Sequence, residues 1–285
     1  TRKESSAASD VYKRQLVFRA RLGTSSVVAL SADASGGILA AACADGNVHW
    51  LALANELAVC AFTPLPAKPA ALTWCRAPRP VLVIAAGEGV AVQLSPPALE
   101  RPSPGASVPS VALEALEPRA GIMSTPSSAA VSAFALAEAT GAARRAAGVA
   151  EGCAAFYALG ADGALRLYAL GSTPPRDPYG LGPVGAAAST HALAEAQPVD
   201  KAPTALAVSA DELFLAVGAA DGTVTVRPTD AIGDETTARS VRLHDSLLGG
   251  VTGLMVLPRT ADGPVSVISV GADGMLYEST ASVPD

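Results

Sequence analysis

The chain has 285 residues, half of them hydrophobic, 4% aromatic and 16% charged, with a formal net charge of −6 at pH 7. Such a length suffices for one large core or for several sheets stacked on one another, and the composition is that of a soluble, well-buried domain. The acidic balance argues against a nucleic-acid groove, which needs a concentrated basic surface. A membrane-spanning run of ~18 uninterrupted apolar residues is absent, because 129–143 contains Glu138 and 27–43 contains Asp33.

Residues 1–15, TRKESSAASDVYKRQ, are charged and Ser-rich and hold two of the four lysines. The body that follows uses Ala and Arg heavily and has two Asn, the mark of a high-GC coding bias. The first fifteen residues therefore read as a non-native or disordered leader, and 16–285 as the folded domain. The leader is not a signal peptide, since no apolar core of suitable length follows its basic residues.

Along the body one short block recurs five times: small and apolar residues, an acidic-Gly pair, then apolar and polar residues in alternation. The copies are 38–53 ILAAACADGNVHWLAL, 81–94 VLVIAAGEGVAVQL, 153–170 CAAFYALGADGALRLYAL, 213–229 LFLAVGAADGTVTVRPT and 265–280 VSVISVGADGMLYEST. Each predicts a β-hairpin, because an acidic-Gly pair suits a tight turn needing positive φ and the apolar runs are too short for helices. The pairs at Asp45-Gly46, Glu88-Gly89, Asp162-Gly163, Asp221-Gly222 and Asp273-Gly274 are 43, 74, 59 and 52 residues apart. The shortest spacing matches one four-stranded propeller blade of ~40–45 residues; the others are that unit plus inserted loops.

Before each hairpin an apolar stretch predicts the blade's inner strand: 27–31, 70–74, 131–136, 204–209 and 251–257. Two of these continue as Ser-Ala-Asp turns, at Ser31-Asp33 and Ser209-Asp211. Outer strands are expected at 57–62, 108–116, 191–196 and 238–243. Pro-rich insertions at 64–69, 96–109 and 174–183 are expected to run as exposed linkers. The alternative architecture is an irregular sandwich or solenoid.

The order of inner strand, turn, strand, Asp-Gly and strand resembles the WD-repeat β-propellers over residues 16 to 280. The chain departs from that family at the signature dipeptide, carrying Trp50-Leu51, Leu94-Ser95, Tyr168-Ala169, Arg227-Pro228 and Tyr277-Glu278 where Trp-Asp is usual. Of the Gly-His pairs only His244-Asp245 has a counterpart. The Asp-His-Ser/Thr-Trp network of regular blades is therefore not expected as such. The resemblance implies an all-β propeller of about five visible blades, part of a ring of about seven or of tandem propellers. Taken alone, such a piece should be poorly soluble or prone to associate.

Chemistry is sparsely marked. Cys43, Cys60, Cys75 and Cys153 lack the close pairing of a zinc or redox site, and buried free thiols with no glycosylation sequon point to a cytoplasmic protein. His49, His191 and His244 fall in three different blades. Gly87-Glu88-Gly89 lacks the third glycine and the helix of a dinucleotide loop. The adjacent basic pair Arg144-Arg145 reads as a solvated tip of the insertion 137–151, or as a contact for an acidic partner such as a tubulin surface. No catalytic, cofactor-binding or metal residue is assigned, no cofactor is expected, and His244-Asp245 is the pair that most needs inspection.

These features describe a non-catalytic protein–protein interaction scaffold with no nucleic-acid partner and no membrane insertion. The degenerate blades, the insertions and the sequences HDSLLGGVTGL and SVGADGMLYES resemble the large cilia- and flagella-associated WD-repeat proteins. That resemblance implies an axonemal tethering role, with tubulin, dynein or tether subunits as partners, and the high-GC bias suits a green-alga-like source. An adaptor of a ubiquitin ligase or a trafficking coat shares the same features, and a propeller enzyme would need titratable groups converging at the channel mouth.

Overall fold

A computed structural model describes residues 20–53, 57–76, 79–87, 89–100, 102–103, 106–125, 130–139, 141–149, 153–170, 189–192, 194–196, 202–257 and 263–282. The leader 1–15, the Pro-rich insertion 174–183 and Glu88 lie outside these residues.

Five antiparallel sheets follow one another along the chain. Blade I is β1 (Val27–Ala32), β2 (Ile38–Cys43), β3 (Asn47–Ala52) and β4 (Ala58–Pro64), hydrogen-bonded in that order. Blade II is β5 (Pro69–Cys75), β6 (Val81–Ala86), β7 (Val90–Leu94) and β8 (Arg119–Ser124); blade III begins with β9 (Ala133–Glu138), β10 (Ala154–Gly160) and β11 (Leu165–Leu170). Two short strands come next. β12 (Ser189–His191) runs parallel to β8 at the edge of blade II, and β13 (Ala194–Glu195) completes blade III against β11. Blade IV is β14 (Pro203–Val208), β15 (Phe214–Ala219), β16 (Thr223–Pro228) and β17 (Arg239–Arg242), and blade V is β18 (Val251–Val256), β19 (Val265–Gly271) and β20 (Leu276–Ala281).

The acidic-Gly pairs sit where the central hairpins turn. At Asp45-Gly46 the Gly46 N–H donates to the Cys43 carbonyl at 3.0 Å, Asp45 Oδ1 accepts from Asn47 N at 3.1 Å, and Gly46 holds φ of 91°. This is a turn closed by a left-handed residue that only glycine adopts without strain, while the aspartate satisfies the backbone two residues on. The same aspartate contact recurs at Asp162, Asp221 and Asp273. Three of these turns are then tied to the end of the outer strand: the carbonyls of Gly46, Gly89 and Gly222 accept from Leu65, Met123 and Leu243 N–H at 2.8, 2.7 and 2.9 Å.

Inner strands β1, β5, β9, β14 and β18 pack in sequence, and each junction has its own apolar core. Trp50, Trp74 and Ile84 fill the first, Phe156 and Tyr168 the second, Tyr157 and Leu215 the third, Phe214 and Val224 the fourth. Polar ends of the large rings reach across: Trp74 Nε1 donates to Ser31 O at 3.0 Å, Tyr168 Oη to Ser124 O at 3.3 Å and Tyr157 Oη to Thr229 O at 2.9 Å. Among the described residues no comparable packing joins β18 to β1.

Two outer strands differ from the sequence expectation. Residues 108–116 are not the fourth strand of blade II, which is β8; they cross to blade I, where Phe62 N donates to Pro109 O at 3.1 Å and Val111 N donates to Phe62 O at 2.8 Å, and then form a 3-10 turn at Leu113–Leu116. The predicted strand 191–196 is split between two blades, β12 on the edge of blade II and β13 in blade III. In both cases a segment inserted after a blade's third strand adds parallel pairing to the outer edge of the preceding blade. That blunts an edge which would otherwise present unpaired N–H and C=O groups. A proline suits this work because only its carbonyl is needed, so part of the 96–109 insertion is a strap rather than a free linker.

Candidate functional site

His244, on the connection between β17 and β18, lies at the centre of a buried polar network. Its Nε2 is 2.9 Å from Ser269 Oγ on β19, and its Nδ1 is 3.1 and 3.2 Å from the two carboxylate oxygens of Asp273 in the β19–β20 turn. The Asp245 backbone N–H donates to the same carboxylate at 3.2 Å, and Tyr277 on β20 meets the imidazole edge-on with ring centroids 5.0 Å apart. Hydrogen bonds hold the Asp273 carboxyl below the usual carboxylate range, the Met275 N–H first, then those of Asp245 and His244. A side chain on Gly271 would overlap the His244 ring, and one on Gly222 would overlap the His244 carbonyl.

The order Ser, His, Asp is that of a hydrolase triad, in which the serine oxygen must reach a substrate carbonyl. Here Ser269 is 0% exposed and His244 3%, so the hydroxyl is sealed inside the blade IV–V junction. The network ties the connection to the hairpin and does no visible chemistry on a ligand. It also corrects the sequence expectation that a His-Asp-Ser arrangement would not form: blade V builds it, with Tyr277 in the place of the usual Trp. Asp245 does serve as turn chemistry, its Oδ1 accepting from Leu247 N at 2.8 Å at the head of a short 3-10 turn, Ser246–Leu248.

The other sequence candidates remain apart. The four cysteines are buried and free, and burial pushes the Cys75 thiol well above its ordinary value, which makes it a poor nucleophile. His49 is buried on β3 against Phe62. His191 contributes its backbone to β12. Gly87 and Gly89 form the β6–β7 turn with φ of 57° and 81°, a hairpin and no phosphate loop. Arg144 and Arg145 lie in a short helix, α1 (Gly141–Ala146), whose Ala143 is buried in the third core, so the insertion is partly docked. No group of three or more His, Cys, Asp or Glu that could hold a metal ion occurs among the described residues.

The channel mouth carries a further charged cluster, which the motif search did not single out. At the C-terminal ends of the inner strands, opposite the Asp-Gly turns, Arg76 reaches from blade II to two carboxylates. Its Nε donates to Glu138 Oε2 at 2.7 Å and its backbone N to Glu138 Oε1 at 2.5 Å, while a guanidinium NH2 pairs with Glu212 between β14 and β15. The Glu138 hydrogen bond raises the Arg76 pKa further. The cluster closes the rim of a cleft of about 440 Å³ whose walls include both Ser-Ala-Asp turns, through Ser31, Ala32, Ser209 and Ala210.

Among solved structures the chain is similar to the Dos1 propeller, with a TM-score of 0.54 and 12% sequence identity over 92% of this chain. The fold is a β-propeller. The chain spans 57% of the length of that propeller's chain. No protein-family model matches the sequence, and no curated protein matches it. Among the described residues no helix is long and apolar enough to cross a membrane.

Proposed function

We propose that this propeller is a non-catalytic scaffold that holds other proteins, and that it serves as a tethering component of the ciliary or flagellar axoneme. The observation that carries the scaffold reading is the sealed state of the Ser269-His244-Asp273 network: the arrangement closest to a catalytic triad is spent on packing one connection. Four separate apolar cores lock the blades into a rigid body, and rigid bodies with many loops present fixed surfaces to partners. The axonemal reading is supported by the sequence resemblance at 244–254 and 269–279. Tubulin, dynein arms or tether subunits are the partners it names.

Proximity labelling from the protein in its own cells tests both levels. Enrichment of tubulin and dynein-arm or tether subunits is the expected result. Enrichment of ligase or coat subunits would keep the scaffold and remove the axoneme, and turnover of a small substrate by the purified chain would remove the scaffold reading itself.

A further inference from the structure

We propose that the outward face of blade V is a self-association surface, on which a second copy of the chain packs about a two-fold axis running along the strands. The inference stands apart from the scaffold reading, since it concerns a contact between two copies and no other protein.

In blades I to IV the residues six and four before the turn glycine, on the second strand, and the residue two after it, on the third, face the next blade. In blade II they are Val83, Ala85 and Ala91, all buried in the core shared with blade III. In blade IV they are Ala216, Gly218 and Val224, and Val251 of β18 sits so close that a side chain on Gly218 would overlap it. Blade V has Ile268, Val270 and Leu276 at these places, with Met255 beside them on β18. A sheet face turned to water carries polar side chains. This one keeps the apolar chemistry of the four junctions, yet Met255, Val270 and Leu276 are exposed. The surface is continuous in kind with the interfaces that already hold the blades together.

Its layout is also complementary to itself. Cross-strand register places Gly253, Val270 and Leu276 in one row across the sheet, and Met255, Ile268 and Glu278 in the next. A two-fold axis along the strands reverses each row on the second copy, so Val270 and Ile268 meet their own counterparts and each Leu276 lies opposite a Gly253. A Cβ on Gly253 would meet nothing within 4 Å, which leaves a hollow for the leucine. Glu278 lays its stem on Met255 and keeps its carboxylate at the outer margin, and Ser266 and Thr280 form a polar end to the same face. Twisted sheets pack aligned at about 30°, and the axis puts the two arcs of blades on opposite sides of the contact. One blade face offers roughly half of the ~800 Å² per partner of a standard interface, so the dimer is weak, with Kd on the order of 10–100 µM. In dilute unfolding experiments the chains are therefore separate.

Sedimentation velocity of the full chain from ~1 to ~500 µM should show a monomer passing to a dimer and no further. Leu276→Glu sets a charge against the hollow and should raise the dissociation constant at least ~10-fold. Gly253→Leu fills the hollow from open space and should raise it at least ~5-fold, an independent readout if Leu276→Glu does not fold. Leu30→Glu, on the exposed inner strand of blade I, should leave the dimer unchanged. The two Val270 side chains meet on the axis between sheets ~10 Å apart, so a short bismaleimide should join Val270→Cys to its own copy. The native cysteines are buried and do not compete for the reagent. A chain that stays monomeric across the range, association that grows past the dimer or is abolished by Leu30→Glu, unchanged affinity in both face variants, or a Val270→Cys chain that dimerises without being cross-linked would overturn the inference.

Discussion

Strands β6 and β19 hold the same place in their blades, each the second strand and each leading into an acidic-Gly turn. All six residues of β6, VLVIAA, are buried, whereas β19, VSVISVG, alternates between buried and partly exposed positions. Val83 and Ile268 are equivalent, six residues before Gly89 and Gly274. Val83 packs with Phe156 and Tyr168 in the core between blades II and III. Ile268 points to the outward side of blade V, beside Met255, Val270 and Leu276, which are 57%, 41% and 64% exposed. A blade in this fold is not a core by itself; each face is buried only by the blade beside it, so stability is distributed over junctions.

The sharpest way to break that comparison is to empty a junction. Phe156→Ala, at a side chain that is fully buried and stacked on Tyr168 with centroids 5.9 Å apart, should cost about 3–5 kcal/mol in urea unfolding. Leu276→Ala on the outward face of blade V should stay within about 0.5 kcal/mol. A comparable loss at both sites would mean that the outer face of blade V is covered in solution. The register pair refines the point: Val83→Ala should cost about 2 kcal/mol and Ile268→Ala less than about 1 kcal/mol, although isoleucine loses more atoms.

What was legible in the sequence follows the same logic. The central hairpins were legible because their turns need particular side chains at fixed places, as Asp45-Gly46 and Asp221-Gly222 show. Inner strands β14 and β18 were legible from their apolar runs. β8, RAGIMS, was not: it has a glycine and two polar residues among its six and no apolar alternation, while the neighbouring VALEAL carries more apolar signal yet serves as a strap onto blade I and a 3-10 turn. The channel mouth was illegible because Arg76 lies 62 residues from Glu138 and 136 from Glu212, and nothing local to any of the three marks the meeting. Blade V hid its network for a similar reason. Ser269 reads as an ordinary strand polar residue until His244, 25 residues before it, is placed against it.

That network is the next largest target. His244→Ala should cost about 1–3 kcal/mol, because Ser269 and Asp273 lose their partner inside the fold. Asp273→Ala added to it should cost less than the two changes measured separately, with a coupling of about 0.5–3 kcal/mol, since the residues act as one unit. Full additivity would show that the imidazole and the carboxylate do not depend on each other. At the equivalent of Ser269 blade II has Ile84, buried in an apolar core, so the same location tolerates either a satisfied polar set or plain packing.

Blade I supplies the unsatisfied counterpart and the smallest effect. The ring nitrogens of His49 are buried and neither has a hydrogen-bond partner among the described residues. Burial lowers the His49 pKa below the ordinary 6.5, and the upward pull of Asp45 does not cancel it. The unfolded chain therefore takes up a proton near pH 6.5 that the folded chain still refuses. Stability should be flat with respect to this group above pH 6.5 and should fall as the pH is lowered from there toward the folded-state value. The carboxyls held below their usual range, Asp33, Asp162, Asp234 and Asp273, titrate in a window more acidic than the interval between pH 6.5 and 5.5. Comparison of urea midpoints at pH 7.0 and 5.5 isolates the effect, because His49→Leu keeps the apolar contact with Phe62 and removes the titrating ring. The parent midpoint should drop more than that of the variant across the interval, and equal drops would show that the His49 ring is not the source of the pH dependence. Blades I and V then differ in a measurable way: the histidine of one is held by partners on both nitrogens, and that of the other is held only by burial.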